Sequence, residues 1–360
     1  MWPYWLMFLM PATVAFAGRL NRRRLFGAAP PMWMNGSWFL VAVALALLIG
    51  LRVEVGGDWF NYFNYLEIAA SEDLVTLLAR EDPGYMLLNW LSFQLGAGVF
   101  GANLFGGLFF SIGLVVFCRR LPRPWLALAV AVPYTVIVVG MGYSRQGIAL
   151  GFAMLGLVAL ARRSTLWFVV WVVLGATFHK SAVLLLPISA LASSRNRYWT
   201  AMWVGVVAGV AYYVLLADAV DALVTNYIDA EYQSQGALIR LVMNALPAAI
   251  LLAWPKRFWF SAGELQLWRW FAIISLVLLA ILLATPASTA VDRVALYMLP
   301  LQMVVFSHLP DVIGTRGQRN AQVVFAVLLY YAAVQFVWLN FATHATYWLP
   351  YRFLPLEASF

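Results

Sequence analysis

The chain has few ionisable side chains. Those outside its basic turns gather in short polar breaks between apolar runs. His179 and Lys180 lie in Phe178-His179-Lys180-Ser181-Ala182. Arg145 precedes Gln146, Asp292 adjoins Arg293, Arg80-Glu81-Asp82 precedes Pro83-Gly84, and Asp58 follows Gly56-Gly57. These residue types suit two tasks. The planar guanidinium fork of arginine grips phosphate oxygens in pairs. A carboxylate or a neutral imidazole removes a proton from a hydroxyl. A lone histidine in such a break also serves as a hydrogen-bonded interface residue, so His179 carries both readings. Metal chemistry has no signature: there is no His-x-x-x-His pair, and the single cysteine, Cys118, excludes a thiolate cluster and a disulfide framework. Nucleotide-binding loops and the Gly-x-Ser-x-Gly elbow are also missing from the sequence.

The elements that position these residues are apolar. Of 360 residues 64% are hydrophobic and only 11% charged, against about half and a quarter in soluble domains. That excess cannot be hidden in one soluble core, whereas twelve bilayer crossings at ~20 residues each would use ~240 residues. The composition predicts an all-α polytopic membrane protein, a single integral membrane domain over 1–360. The predicted spans are 2–18, 36–51, 101–118, 124–140, 146–161, 165–178, 180–194, 198–216, 240–254, 267–284, 293–309 and 321–339. The first is not a secretory signal, because Arg19 and Arg22 to Arg24 follow the apolar run instead of preceding it.

Orientation follows from the arginines. With the N-terminus outside, the loops 19–35, 119–123, 162–164, 195–197, 255–266 and 310–320 face the cytoplasm. With Arg269 at a helix entrance they hold 16 of the 23 basic residues, and only two acids, Glu264 and Asp311. This satisfies the positive-inside rule at every turn. The net charge of +8 is thereby explained as a topogenic signal, without nucleic acid. The scheme requires that 84–98 not span. Its alternation of Tyr85, Leu88 and Leu91 with Asn89 and Ser92 predicts an amphipathic helix on the outer face. It lies in an outer loop over 52–98, and 217–239 forms a second outer loop.

Seven basic residues remain outside, against the bias: Arg52, Arg80, Arg145, Lys180, Arg240, Arg293 and Arg352. Five of them, Arg80, Arg145, Lys180, Arg240 and Arg293, lie at or beside the start of a helix running inward. There the helix end and the cation together favour a polyanion. Snorkelling to lipid headgroups is the plainer explanation for any one of them. Thirteen of the fifteen acids also lie outside. Trp59, Tyr62 and Tyr65 recur at three-residue spacing, as a sugar-stacking face or an interfacial aromatic belt would.

Several of these elements together resemble the EpsG family of Wzy-like exopolysaccharide polymerases. They are Arg52-Val-Glu-Val-Gly56-Gly57-Asp58 with Tyr62, the turn Glu81-Asp82-Pro83-Gly84-Tyr85 with Leu88-Asn89-Trp90-Leu91-Ser92, Arg145-Gln146-Gly147-Ile148-Ala149, Phe178-His179-Lys180-Ser181-Ala182 with Leu186-Pro187, and Arg293 with Tyr297. The likeness runs from about 45 to 300. It departs in the doubled Gly56-Gly57 and in the inserted Asp82, which leaves open whether Glu81 or Asp82 takes the acid's place.

The resemblance implies a bacterial cytoplasmic-membrane enzyme whose active site faces the periplasm or exterior. It would transfer a growing glycan from polyprenyl pyrophosphate to an incoming lipid-linked repeat unit, without cofactor or metal. Its partners would be that lipid-linked oligosaccharide, membrane lipid and a chain-length regulator or export complex. On this reading Arg145, Arg240, Arg293, Lys180 and Arg80 bind pyrophosphate, and Trp59, Tyr62, Gln146 and Tyr297 bind glycan. His179, Asp58 and Glu81 are the catalytic candidates. Nearby arginines are expected to lower the Asp58 pKa and weaken it as a base, which favours His179, held neutral by the same cations. Two other classes compete. A lipid-linked oligosaccharide flippase would carry mid-membrane charges and related halves, and neither is visible. A membrane acyltransferase would need its histidine facing the cytosol; a glycan ligase is the remaining alternative.

Overall fold

Within lipid every backbone N–H and C=O must be satisfied inside its own segment, so apolar runs fold as helices. The computed structural model describes residues 1–18, 34–192, 197–215, 236–285 and 288–357. In chain order the helices are α1 Trp2–Ala17, α2 Gly36–Gly50, α3 Asn61–Ser71, α4 Leu74–Leu78, α5 Pro83–Gln94, α6 Gly98–Cys118 and α7 Pro124–Ala131, which continues as a π-helix over Val132–Gly140. Next come α8 Ser144–Ala161, α9 Thr165–Ala176, a 3-10 segment Lys180–Leu185 running into α10 Leu186–Ala192, α11 Arg197–Leu215, α12 Ala237–Ala253 and α13 Ala262–Ala284. The last are α14 Ser288–Ala295, α15 Pro300–Ile313, α16 Ala321–Phe341 and α17 Leu354–Glu357. No strand forms among the described residues; one isolated bridge joins Arg52 to Phe353.

Each of the twelve apolar runs falls on helix, but few of the helices are long. Four are long and apolar enough to cross a membrane alone: α6, α8, α13 and α16. The pair Ser288–Met298 and Pro300–Ile313, bent by 44°, makes a fifth if it is one span. The remaining apolar helices have 10–17 residues, or roughly 15–25 Å at 1.5 Å per residue, against a hydrocarbon core of ~30 Å. The expectation of about twelve helices is therefore met in full length by four or five. The run 180–194 illustrates the shortfall, since it opens as a tight 3-10 segment and Pro187 lies within α10.

α6 is the central stave. It packs against α2 and α8, and α8 in turn packs against α9. Small residues permit the close approach, as is usual where lipid offers no hydrophobic drive between helices. A Cβ on Gly113 would lie 2.1 Å from the Gly151 carbonyl oxygen, and one on Gly151 would lie 2.8 Å from Phe110 Cα. Beside this stave the π-helix is buried along its whole length. Its Ile137 carbonyl accepts from Trp348 Nε1 at 2.8 Å. It ends at Met141-Gly142-Tyr143, the break from which α8 starts.

Two expectations about the outer segments change. The helix expected within 84–98 forms, as α5, but polar and apolar residues do not divide between its sides: Tyr85 and Leu88 are buried, and so are the polar residues. Asn89 and Ser92 are fully buried, while Leu91 and Phe93 are exposed. Ser92 Oγ donates to the Gly98 carbonyl and Asn89 Nδ2 to the Tyr85 carbonyl. Polar side chains buried in this way must find their partners inside the protein. The second outer loop, 217–239, lies largely outside the described residues; its end is already helical, as α12 begins at Ala237.

The α6–α8 contact generates a stability prediction. Gly113→Leu pushes backbone against backbone, which no side-chain rotation relieves. It should cost at least the ~1–3 kcal/mol of core overpacking. We expect a fall of several degrees in the thermal midpoint of the detergent-solubilised protein, whereas Gly205→Leu, at an open position, should change it little.

Candidate active site

The first wall of the site is the loop after α2. Arg52 is completely buried, and its guanidinium is held by neutral oxygens. Nε donates to the Val55 carbonyl at 2.9 Å, Nη1 to the Ile49 carbonyl and Nη2 to Ser144 Oγ at 3.0 Å. The Trp59 and Tyr62 rings face it at 5.5 and 5.9 Å. The loop is clamped from behind by the C-terminal segment: Val53 N–H donates to Arg352 O, Leu354 N–H to Leu51 O, and Gly56 N–H to Tyr347 O. Gly56 has φ +108, and a Cβ there would meet the Met141 carbonyl at 2.6 Å. Only glycine allows the loop to lie so near the break before α8. Ser144 N–H in that break donates to Tyr62 Oη at 3.1 Å, and Ser144 Oγ to Asn103 Oδ1 at 3.2 Å.

The second wall is built on Asp82. This residue precedes Pro83 in the left-handed region (φ 55, ψ 58), uncommon for a side chain with a Cβ. Its carboxylate is buried and joins three elements. Oδ2 accepts from Arg145 Nη1 at 2.8 Å, and Oδ1 from the Lys180 backbone N–H at 3.2 Å. Gly84 N–H reaches the Thr177 carbonyl at 2.8 Å, which fastens the start of α5 to the end of α9. Arg145 also lies 4.9 Å from the Tyr65 ring.

Between these walls stand His179, Arg293 and Asp58. Arg293 Nη1 is 3.3 Å from His179 Nε2, and Ser181 Oγ is 2.6 Å from Nδ1. A guanidinium only donates, so Nε2 accepts and the ring proton sits on Nδ1, bonded to Ser181. Ser181 Oγ donates onward to Tyr297 Oη at 3.3 Å. Gln146 Nε2 donates to the Arg293 carbonyl at 2.6 Å. Burial, followed by the charges of Arg293, Arg145 and Lys180, holds His179 well below the ordinary histidine pKa, so it is neutral. Asp58 is half-buried, and its carboxylate accepts no hydrogen bond from the described residues. Burial pushes its pKa up, and this outweighs the pull of Arg293, Arg145 and Arg52. The expectation of a lowered Asp58 pKa is thus reversed: loss of solvation exceeds the attraction of the neighbouring cations.

The anticipated residues divide into those the fold gathers and those it does not. His179, Asp58, Arg145, Arg293, Gln146 and Tyr297 converge, with Lys180 at the edge. Glu81, mostly exposed, pairs with Lys180 Nζ at 2.9 Å. Arg80 forms a bidentate pair with Glu72 on the exposed rim, so it does not join the other cations. Arg240 is buried in a two-bonded pair with Asp292, beside the Tyr134 ring. Trp59 and Tyr62 are buried against Arg52 and one another, with no ring face presented to a sugar; α3 begins only after Trp59. The residues not anticipated are Ser181 and Ser144. Asp82 was visible as one of two candidate acids; a left-handed residue before proline is the feature that separates it from Glu81. Among the described residues no three His, Cys, Asp or Glu side chains are grouped to hold a metal ion.

Comparison with known proteins gives one finding. No curated protein and no solved structure matches the chain. The model of the EpsG family matches residues 37–353, which includes both walls of the site and the clamp as far as Phe353. The chain therefore belongs to the EpsG family, which puts it among the membrane proteins of exopolysaccharide biosynthesis.

Proposed function

We propose that this protein is a glycan polymerase. It transfers a growing chain from polyprenyl pyrophosphate to the terminal sugar of an incoming lipid-linked repeat unit, at the outer face of the cytoplasmic membrane. One observation carries the reading: the charges of Arg293 and Arg145 act on a half-buried carboxylate, Asp58, that accepts no hydrogen bond from the described residues. Cations beside an uncommitted carboxylate suit a reaction that releases an anion and consumes a hydroxyl proton.

In the proposed reaction Asp58 accepts the proton of the acceptor hydroxyl. The acceptor oxygen bonds to the anomeric carbon, and the bond from that carbon to the pyrophosphate oxygen breaks. The electron pair leaves with pyrophosphate, whose added charge Arg293 and Arg145 stabilise. Pyrophosphate is a good leaving group, so no strong acid is needed. The leaning toward His179 as base gives way here. Its lone pair is engaged by Arg293, and three cations oppose its protonation. It is better placed to orient Arg293. Arg240, bonded to Asp292, contributes structure and background charge.

The proposed setting has about twelve crossings, both termini outside, and α3 to α5 as an outer segment that does not traverse. The shorter apolar helices cross by extending into their flanks or in locally thinned bilayer. With Cys118 replaced by serine, Ser71→Cys should react with an impermeant thiol reagent on intact cells. Arg163→Cys should react only after permeabilisation. Labelling of Arg163→Cys from outside would invert the scheme.

The base assignment predicts a pH profile. Asp58 must be ionised to act, and its folded pKa is raised. The rate should therefore fall as pH drops, with the acid limb above the ordinary carboxylate range. Asp58→Asn should lower kcat by roughly 10²–10⁴ and abolish that limb. His179→Gln should retain the limb at a reduced rate. Loss of the limb in His179→Gln, with the limb intact in Asp58→Asn, would make the imidazole the base.

Arg293 and Arg240 should separate by readout. Arg293→Ala should cut turnover by about 10²–10³, as loss of one electrostatic stabiliser does, and leave the thermal midpoint near normal. Arg240→Ala strands the buried Asp292 carboxylate and should cost about 3–5 kcal/mol of stability, read as a lowered midpoint. Equal loss of turnover without destabilisation in both would assign Arg240 to the pyrophosphate as well.

A further inference from the structure

The half-helix α14, which carries Asp292 and Arg293, breaks from α15 by a bend of 44°. Such a break releases backbone carbonyls from the helical ladder, and in a membrane bundle they require other donors. Two of them are met by side-chain amides from different helices. Gln146 of α8 donates to Arg293 O at 2.6 Å, and Asn244 of α12 donates to Ala295 O at 2.9 Å.

Asn244 is itself held from behind. Its Oδ1 accepts from Gln302 Nε2 at 2.7 Å, and Gln302 Oε1 accepts from Tyr331 Oη at 2.8 Å. Asn244, Gln302 and Tyr331 are all essentially inaccessible. Every bond in the series uses one donor and one acceptor, so the direction of each amide is fixed by the next. The series runs from α16 through α15 and α12 to the carbonyl two residues after Arg293. Buried polar groups in an apolar core are costly unless every member is bonded. Here the bonded arrangement exists for only one seating of α14.

We propose that the chain Tyr331–Gln302–Asn244 is a positioning device for Arg293. It sets the register of the half-helix and so aims the guanidinium at the pyrophosphate, without touching substrate. This inference rests on the proposed role of Arg293 as a pyrophosphate ligand.

The test uses inorganic pyrophosphate as probe and the purified full-length protein in detergent or nanodiscs, with affinity measured by calorimetry. Loss of a buried hydrogen bond should weaken binding roughly ten-fold in Asn244→Leu and about three-fold in Tyr331→Phe, which removes only a hydroxyl. Thermal midpoints are recorded alongside, and Tyr331→Phe keeps the ring and its packing should Asn244→Leu fold poorly. The discriminating measurement is repeated in Arg293→Ala. If the chain acts through Arg293, the same substitutions should change affinity no further there, whereas general loosening would weaken binding equally in both backgrounds. Wild-type affinity in Tyr331→Phe and Asn244→Leu, or additive losses in Arg293→Ala, overturns the positioning role and leaves the proposed function standing. Absence of pyrophosphate binding by the wild type, or binding indifferent to Arg293→Ala, overturns both.

Discussion

The ion pair between Asp82 and Arg145 is the contact on which the site depends. It joins the outer segment to the start of α8, and the second oxygen of Asp82 draws in the Lys180 backbone beside His179. Asp82 is buried whereas Arg145 is partly exposed, so removing the arginine leaves a buried carboxylate without its cation. The left-handed backbone at Asp82 is therefore tolerated because three elements over-determine it. With that pair in place, Gly84 can contact Thr177 and Tyr65 can lie against Arg145.

Charge is distributed by the same constraint elsewhere. Arg240 is matched by Asp292, and Arg123 by Asp311 at the opposite end of the bundle, where the Gln318 and Arg319 carbonyls also accept from it. Arg52 is satisfied by neutral oxygens and aromatic faces. Against that background Asp58 differs. A carboxylate that cations surround but no donor among the described residues contacts has room to take a proton. His179 differs in the opposite sense, because both of its ring nitrogens are engaged. The proposed distinction between base and positioning group rests on hydrogen-bond occupancy more than on residue type.

Backbone irregularities lie where the chemistry is proposed. The π-helix ends just before Ser144 and Arg145. The bend between α14 and α15 follows Arg293, and a 3-10 segment follows His179. At the first two the carbonyls are met by side chains: Trp348 at Ile137 in the π-helix, and Gln146 at Arg293 with Asn244 at Ala295 before the bend. In a bilayer such departures persist only where protein supplies the missing partners.

Much of this was legible in the residues themselves. Apolar runs separated by basic turns determine a helical membrane protein, because burial of that much hydrocarbon admits no other solution. The polar breaks at Arg145, His179 and Arg293 mark the site because charge is too costly to retain in such runs without use. What the sequence could not supply was partnership. Arg80, Arg145 and Arg240 look alike in the chain, yet one is tied to Glu72 at the rim, one to Asp82 in the site and one to Asp292 in the interior. Periodicity gave α5 its helix but not the burial of Asn89 and Ser92, since spacing does not say which elements pack against a helix. The Asp58 pKa depended on how far folding strips its water, and that is a property of packing. Helix and topology arise from local composition, whereas pairing, solvation and the aim of each side chain arise from contacts between residues as far apart as Asp82 and Lys180, which only the tertiary structure brings together.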